Sequence, residues 1–181
     1  MSVRLIGANP GVTLFEDSGD EKPIAYASVW RIDWSTAGVG RAIVLWYDGM
    51  PRVVAEDAGL GTWLASEFNR HFPEVRGLPW PEPKVTVAPV ELKLDLNRGM
   101  RAAAADLVVE IGEPLARRLV RVDAFDLGGT PNALTTVLMP CRSGWIEIDG
   151  QRLPGQPIIV TEPHIGSTAF LADAEVWCDP E

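Results

Sequence analysis

The stretch that decides the fold is AYASVWRIDW, residues 25–34, which a short turn joins to VGRAIVLWYD, residues 39–48. In the first segment Tyr26, Trp30 and Trp34 stand at even positions, and small, aliphatic or charged residues stand at the odd ones. Alternation with a period of two is typical of a β-strand, because successive side chains of a strand point to opposite faces. The second segment is apolar on both faces. Two successive strands are therefore predicted here.

Further strands follow along the chain, and the clearest local signal is the pair Asp149-Gly150. An Asp-Gly pair suits a type I′ turn, so residues 145–148 are predicted to pair with residues 152–153. Counting such segments gives about eight to ten strands at regular spacing, which favours a sandwich or a barrel. Because several segments are long and follow one another as hairpins, we predict a mainly β, antiparallel up-and-down barrel.

One segment has the period of a helix instead. Leu60, Trp63, Leu64, Phe68 and Phe72 lie on one stripe of a 3.6-residue repeat. The pattern predicts one short amphipathic helix over residues 59–72, which a cap at residue 57 or 62 begins and a proline at 73 ends.

Three features complete the organisation predicted for residues 1–181, which we interpret as a single domain. Residues 1–24 are rich in Gly, Pro, Asp and Glu and are predicted to form an arm with one short strand near residues 3–6. Residues 77–83, Gly-Leu-Pro-Trp-Pro-Glu-Pro, are predicted to form an extended link. In the final strand, residues 168–176, the even positions are expected to face inward.

The segment GWIEIDGQRLPG, residues 144–155, resembles the late hairpins of bacterial lipocalin-like (calycin) proteins. Among these are hydroxyneurosporene-synthase-like proteins and the barrel-shaped cyclases of natural-product pathways. The resemblance extends over residues 85–177 at the level of strand organisation, and the short Gly-x-Trp signature of true lipocalins is missing from the first strand. It implies a calycin-like barrel and no particular functional residue.

The negative net charge of the chain makes some classes of binding partner unfavourable. The formal charge of −9 and a pI near 4.7 repel phosphate backbones and anionic membranes, so neither nucleic acid nor a membrane is expected as a partner. No secretory signal or long apolar run is seen, and a cytoplasmic location is expected. The two cysteines, Cys141 and Cys178, are most simply interpreted as free thiols, although one bridge between them stays open.

No motif fixes a cofactor or a metal. The two histidines, His71 and His164, are far apart, and the ligand spacings of zinc sites are missing. The glycine pairs at residues 38–40 and 59–61 do not complete a dinucleotide or phosphate-binding motif. We therefore expect no cofactor and no metal.

Aromatic side chains suggest a binding site. If the two strands of residues 25–48 pair and the sheet closes, the rings would line an interior that has room for one small ligand. Plain core packing is the other interpretation. The candidate ligand-binding rings are Tyr26, Trp30, Trp34, Trp46 and Tyr47.

A charged pair offers a second candidate. Leu119, Arg121, Asp123 and Phe125 share one face of a strand predicted over residues 115–127, which is unusual for a solvent face. Arg121 and Asp123 would then either bind a ligand inside the barrel or form an ion pair on the surface.

These observations leave three functions open. The first is binding of a small apolar molecule inside the barrel. The second is an enzyme of the cyclase, isomerase or hydrolase type that uses the same cavity, since such catalysis relies on shape and orientation more than on a motif. The third is a homodimer formed through exposed strand edges, with no ligand.

Overall fold

The computed structural model describes residues 1–180 of the 181-residue chain, and the fold is mainly β, as predicted. Within that range the chain has one α-helix, α1 (Ala58–Glu67), between the fifth and sixth strands. The strands are β1 (Val3–Ala8), β2 (Gly11–Leu14), β3 (Ala25–Ser35), β4 (Gly40–Tyr47), β5 (Met50–Ala55), β6 (Lys84–Val87), β7 (Glu91–Asp95), β8 (Gly99–Ala104), β9 (Leu107–Pro114), β10 (Arg118–Leu127), β11 (Thr130–Ile148), β12 (Gln151–Arg152), β13 (Ile159–Val160), β14 (Gly166–Ser167) and β15 (Ala169–Cys178).

Thirteen of these strands form one sheet, whose main path runs β6-β5-β4-β3-β1-β15-β11-β9-β8-β7. β10 and β12 pair with β11, and β2 pairs with both β15 and β3. β13 and β14 form a separate two-stranded sheet. The sheet is mixed, because β5 and β6 are parallel whereas the other pairs are antiparallel. Its order also departs from simple sequential hairpins, since β1 lies between β3 and β15.

The two ends of the path, β6 and β7, are neighbours in sequence. Only three residues join them, and the amide of Ala88 continues the β5 pairing by donating to the carbonyl of Ala55 at 3.0 Å. Pro89 follows, and Val90 is buried. β6 and β7 are thus consecutive parts of one segment, and the short stretch with Pro89 joins the two ends of the path.

The sequence predicted that residues 1–24 form an arm with one short strand near residues 3–6. The short strand is present as β1, but the stretch is not an arm. It supplies two strands in the middle of the sheet, β1 and β2, and every residue from Gly7 to Leu14 is buried. Because residues 7–14 are buried on both faces, they show no alternation, and Asn9-Pro10 separates the two strands. The buried Asn9 amide stabilises the interruption by donating to Ser28 Oγ at 2.6 Å and to the carbonyl of Val29 at 3.0 Å.

The helical segment is shorter and more broken than the predicted helix over residues 59–72. Asp57 caps α1 by accepting from the Leu60 amide at 2.8 Å. The helix ends at Glu67, and two 3₁₀ turns follow, Asn69–His71 and Pro73–Val75. The α-helix stops before the end of its apolar stripe because the Asn69 side chain turns inward to bond buried partners of the sheet.

Hairpin chemistry accounts for several boundaries. Asp149 and Gly150 both have positive φ, and the strands on either side pair Glu147 with Arg152, as predicted. A turn with positive φ at Ala105 separates β8 from β9.

Two buried clusters lie on opposite faces of β3. We call the first the aliphatic core; it contains Val12, Leu14, Ala25, Ala27, Val29, Ile43, Leu45, Val54, Val90, Met100, Ala102, Ala104, Leu107, Val109, Ile111, Met139, Cys141, Ile146, Ala169 and Leu171. We call the second the aromatic layer; it contains Leu5, Tyr26, Trp30, Ile32, Ala42, Val44, Trp46, Val53, Ala55, Leu60, Leu64, Ala65, Phe68, Phe72, Val75, Leu127, Leu134 and Trp177.

The alternation of β3 is confirmed, but the expected interior position of its rings is wrong. The ring-bearing face packs beneath α1 and the 3₁₀ turns, whereas Ala25, Ala27 and Val29 join the core shared with β8, β9 and β11. A period of two tells which side chains share a face but not which face is enclosed. Small side chains pack against the facing strands, and the large rings lie where a separate segment covers them.

Candidate functional site

A pocket of about 320 Å³ lies on the aromatic face of the sheet, between β10, β15 and the chain segment after α1. Its volume is at the lower end of the range for small-molecule sites, and its wall is mostly apolar with a few polar groups. We call it the sheet pocket. It is lined by Asn9, Gly11, Tyr26, Ser28, Phe72, Pro73, Glu74, Val120, Val122, Phe125, Leu134, Thr136, Leu138, Ser167, Phe170, Ala172, Glu175 and Trp177.

Two β-bulges give the pocket its wall. On β15 the register with β11 shifts near Ala174, whose φ is 51°, so Ala172 and Glu175 point to the same side. On β10 the register with β11 shifts between Val122 and Phe125, so these two side chains also point to the same side. Each bulge inserts one residue into a strand and therefore reverses the parity beyond it. The predicted inner face of the last strand is thereby wrong.

The two faces of β15 belong to different surroundings. Ala169 and Leu171 belong to the aliphatic core, whereas Phe170 and Ala172 line the pocket, followed past the bulge by Glu175 and Trp177. The even positions before the bulge and the odd positions after it thus share the pocket face.

Glu175 is a buried carboxylic acid in this wall, only 4% exposed. Its Oε1 accepts a hydrogen bond of 2.6 Å from Nε1 of Trp177. Burial raises its pKa to about 7, and the Trp177 and Thr136 hydrogen bonds oppose that rise without cancelling it. Near neutral pH the Glu175 carboxyl can therefore either hold or release a proton.

Glu74 is the second carboxylic acid of the pocket, carried by the 3₁₀ turn Pro73–Val75. Among residues 1–180 its buried Oε2 atom has no hydrogen-bond partner. Burial raises the pKa of the Glu74 carboxyl above its ordinary value. A buried oxygen without a partner is costly, so this atom is free to bind a donor brought by a ligand.

A hydrogen-bond chain fixes the wall between Glu74 and the helix. Asn69 Oδ1 accepts from Trp30 Nε1 at 2.9 Å, and Asn69 Nδ2 donates to the hydroxyl of Tyr26 at 3.1 Å. Burial, together with the nearby Glu74 charge, raises the pKa of the Tyr26 phenol. Tyr26 therefore stays protonated, and the bond from Asn69 fixes the position of its oxygen at the pocket.

Aromatic rings enclose one end of the pocket. The Trp177 and Phe125 ring centroids are 5.0 Å apart in an edge-to-face arrangement, and Phe72 lies 6.0 Å from each of them. Such contacts hold the rings rigidly and give the pocket a preformed apolar surface.

Of the predicted ring-bearing candidates, Tyr26 alone lines the sheet pocket. Trp30 is fully buried beneath Phe68, and Trp46 donates its indole N–H to the carbonyl of Pro79 at 2.9 Å. Trp34 is 46% exposed, and Tyr47 is half-buried against the aliphatic core. The two strands do lie side by side, yet their rings are spread over the packed layer, the surface and the core.

Arg121 and Asp123 lie on the surface and not inside a barrel. Their side chains are exposed and pair with each other at 2.8 Å within β10, rather than across strands. The β10 bulge removes the apparent anomaly, because it turns Phe125 into the pocket while Leu119 stays 78% exposed. Neither charged residue lines the sheet pocket.

Sequence reasoning missed Glu74 and Glu175, the two groups with the most distinctive chemistry. Glu175 stands among Ala174, Val176 and Trp177 near the end of an apolar strand, which was a usable signal for a buried acid. Glu74 follows a proline in a segment that resembled a helix end, and nothing local marks its burial.

Other chemistry is sparse in the described part of the chain. Residues 1–180 bring together no group of three or more His, Cys, Asp and Glu side chains that could hold a metal ion. Cys141 is buried and Cys178 half-buried, both as free thiols, and burial raises the pKa of Cys141 to about 11. No helix in that range is long and apolar enough to cross a membrane.

Comparisons with family models, with curated proteins and with solved structures give no match to this chain.

Proposed function

We propose that this chain binds a small, mostly apolar molecule in the sheet pocket. The observation that carries the proposal is the pocket itself: about 320 Å³, walled by rings and aliphatic side chains, with Tyr26, Glu74 and Glu175 as its polar groups. A preformed apolar cleft with a few convergent polar groups is the usual form of a small-molecule site. The site lies on the outer face of the sheet rather than among the aliphatic core.

Native mass spectrometry of the freshly purified full chain tests the proposal. A retained small molecule, or thermal stabilisation by members of a lipid and polyketide panel, is the expected result. No retained mass together with no thermal shift across the panel would contradict it.

A pair of matched variants locates the site. Val120 lines the sheet pocket, so Val120→Phe fills part of it and should abolish retention. Val87 is 60% exposed on β6, and Val87→Phe makes the same chemical change there. If both variants retain the small molecule equally, it does not bind in the sheet pocket.

We also infer that the sheet closes into a calycin-like barrel around the aliphatic core. Support comes from the continuous segment β6–β7, whose first part pairs with β5 and whose second part pairs with β8. An ion pair between Arg52 of β5 and Asp106, in the turn between β8 and β9, links the same two halves of the sheet. A closed sheet has no free edges at these strands.

Acid–base catalysis on the bound molecule is the second candidate function, favoured by Glu175. A carboxyl whose pKa is raised to about 7 suits proton transfer at neutral pH. Screening of isomerase, cyclase and ester-hydrolysis substrates is the test. Turnover that Glu175→Gln removes would support catalysis, and turnover that survives the substitution would contradict this role.

A further inference from the structure

Two acidic side chains give the sheet pocket its strongest hydrogen-bond acceptors. Nδ2 of Asn9 already donates to Ser28 and Val29, and Nε1 of Trp177 donates to Glu175. The carboxylates of Glu74 and Glu175 remain as acceptors, with Oε2 of Glu74 buried and unpartnered among residues 1–180. A ligand that matches this wall must therefore bring donors of its own.

The ionisable side chains that line the pocket include acids but no basic residue. None of the residues lining the sheet pocket is Lys, Arg or His. The nearest further acidic group, Asp173, is already paired with Arg31 at 2.8 Å, so that arginine does not neutralise the pocket carboxyls. Two acidic groups in a partly desolvated cleft attract a cation more strongly than they would in water.

Aromatic rings near the two acids also favour a cation in the sheet pocket. Phe72, Phe125 and Trp177 form contacts around one end of the pocket, and Tyr26 lies near both acids. The negative face of an aromatic ring attracts an ammonium group and also packs well against an apolar body.

We propose that the sheet pocket binds a protonated primary amine on an apolar body, with its ammonium group bonded to Oε2 of Glu74 and attracted by the charge of Glu175. The proposal rests on the small-molecule function proposed above and specifies the class of ligand. The N–H donors of the ammonium group suit carboxylate acceptors, and its charge offsets that of the carboxylates. The rest of the ligand packs against Trp177, Phe72 and the aliphatic side chains of β10 and β11.

Calorimetric titration with three probes of nearly equal shape tests the ligand class. The probes are 3-phenylpropylamine, 3-phenyl-1-propanol and 4-phenyl-2-butanone, each added to the full chain at pH 8. The amine should bind about tenfold or more tightly than the alcohol, since charge-assisted bonds in a desolvated site are strong. The preference should weaken as the pH falls, because burial raises the pKa of both carboxyls and protonation removes their charge.

Substitutions identify the groups responsible. Glu74→Gln and Glu175→Gln should each reduce the preference for the amine to about threefold or less, whereas Glu21→Gln, an exposed change of equal charge, should leave it intact. The unfolding midpoint of each variant without probe verifies that it is folded.

The outcomes separate this inference from the broader one. Alcohol binding equal to that of the amine, or tighter ketone binding, overturns the amine inference and leaves the small-molecule function standing. A ketone preference would mean that the protonated acids act as donors. If no probe binds at millimolar concentration, the amine inference is overturned, and the retained-molecule experiment alone decides the broader proposal.

Discussion

Oε1 of Glu175 accepts a hydrogen bond of 2.6 Å from Nε1 of Trp177, two residues further along β15. Both side chains are buried and point to one face, because residues two apart in a strand share a face. The bond holds the indole as a wall of the pocket and gives a desolvated carboxyl one strong donor. A structural ring and an ionisable group are thereby coupled.

That coupling predicts how stability depends on pH. Folding raises the pKa of Glu175 from an ordinary 4.5 to about 7, so between these values the folded state binds the proton more tightly. The stabilising effect is complete below the unfolded pKa and is lost as the pH rises through about 7. Glu175→Gln cannot ionise, so its stability relative to wild type should improve by about 2 kcal/mol between pH 5 and pH 8.

Urea denaturation of both proteins at the two pH values measures this difference. Tyr26 and Asp173 are the ionisable groups near Glu175, and Glu74 elsewhere in the pocket wall adds a trend of the same sign because its pKa is also raised. Exposed Glu21→Gln is the control and should show no such trend. A Glu175→Gln difference that does not change with pH would contradict a buried, proton-holding carboxyl.

Much of the fold could be predicted from local pattern, because pattern reports which side chains share a face. The alternation in residues 25–34 and the Asp149-Gly150 turn are local signals, and each corresponds to an observed feature. The central position of residues 7–14 could not be predicted, because burial on both faces removes the alternation.

The candidate site was harder to predict for a different physical reason. Its wall depends on two bulges, near Ala174 and between Val122 and Phe125, and a single inserted residue reverses every side chain beyond it. The bulges are set by pairing with distant strands. The sequence pattern therefore identified Tyr26 but could not bring Glu74 and Glu175 to it.

Asn69 is predicted to be essential for the covering layer. Asn69→Leu leaves the indole N–H of Trp30 and the hydroxyl of Tyr26 without their buried partner. An unpaired buried polar group costs about 1–3 kcal/mol, so the substitution should destabilise the fold by about 2–4 kcal/mol. Urea denaturation measures the change. Exposed Asn97→Leu should stay within about 0.5 kcal/mol of wild type, and a similar small effect at Asn69 would contradict its bridging role.

Two glycines of α1 give a matched test of how closely the helix packs on the sheet. A Cβ at Gly61 would lie 2.7 Å from Ala55 Cβ and 2.9 Å from Val53 Cγ1, whereas at Gly59 it would meet only the cap oxygen of Asp57 at 3.3 Å. Gly61→Ala should therefore destabilise by about 1–3 kcal/mol despite the better helix propensity of alanine. Gly59→Ala should be near neutral or slightly stabilising. Thermal unfolding of both variants decides, and a stabilising Gly61→Ala would contradict the close packing.

The Arg52–Asp106 ion pair is predicted to fasten two distant parts of the sheet. The guanidinium donates two hydrogen bonds to the carboxylate, at 2.6 and 3.0 Å, and both side chains are roughly three-quarters buried. Asp106→Asn should cost about 1 kcal/mol at pH 7, a figure that allows for screening by solvent. The more exposed pair Arg121–Asp123 is the control, and Asp123→Asn should change stability by less than about 0.5 kcal/mol.

The pH dependence separates an ion pair from mere packing at Asp106. Bonding to Arg52 lowers the pKa of this carboxyl below its ordinary 3.8. Its stabilisation is therefore present above the unfolded pKa and is lost as the pH falls through the lower, folded value. The difference between wild type and Asp106→Asn should shrink when urea denaturation is repeated near pH 2. If it persists unchanged there, the charge of Asp106 is not what joins β5 to the turn between β8 and β9.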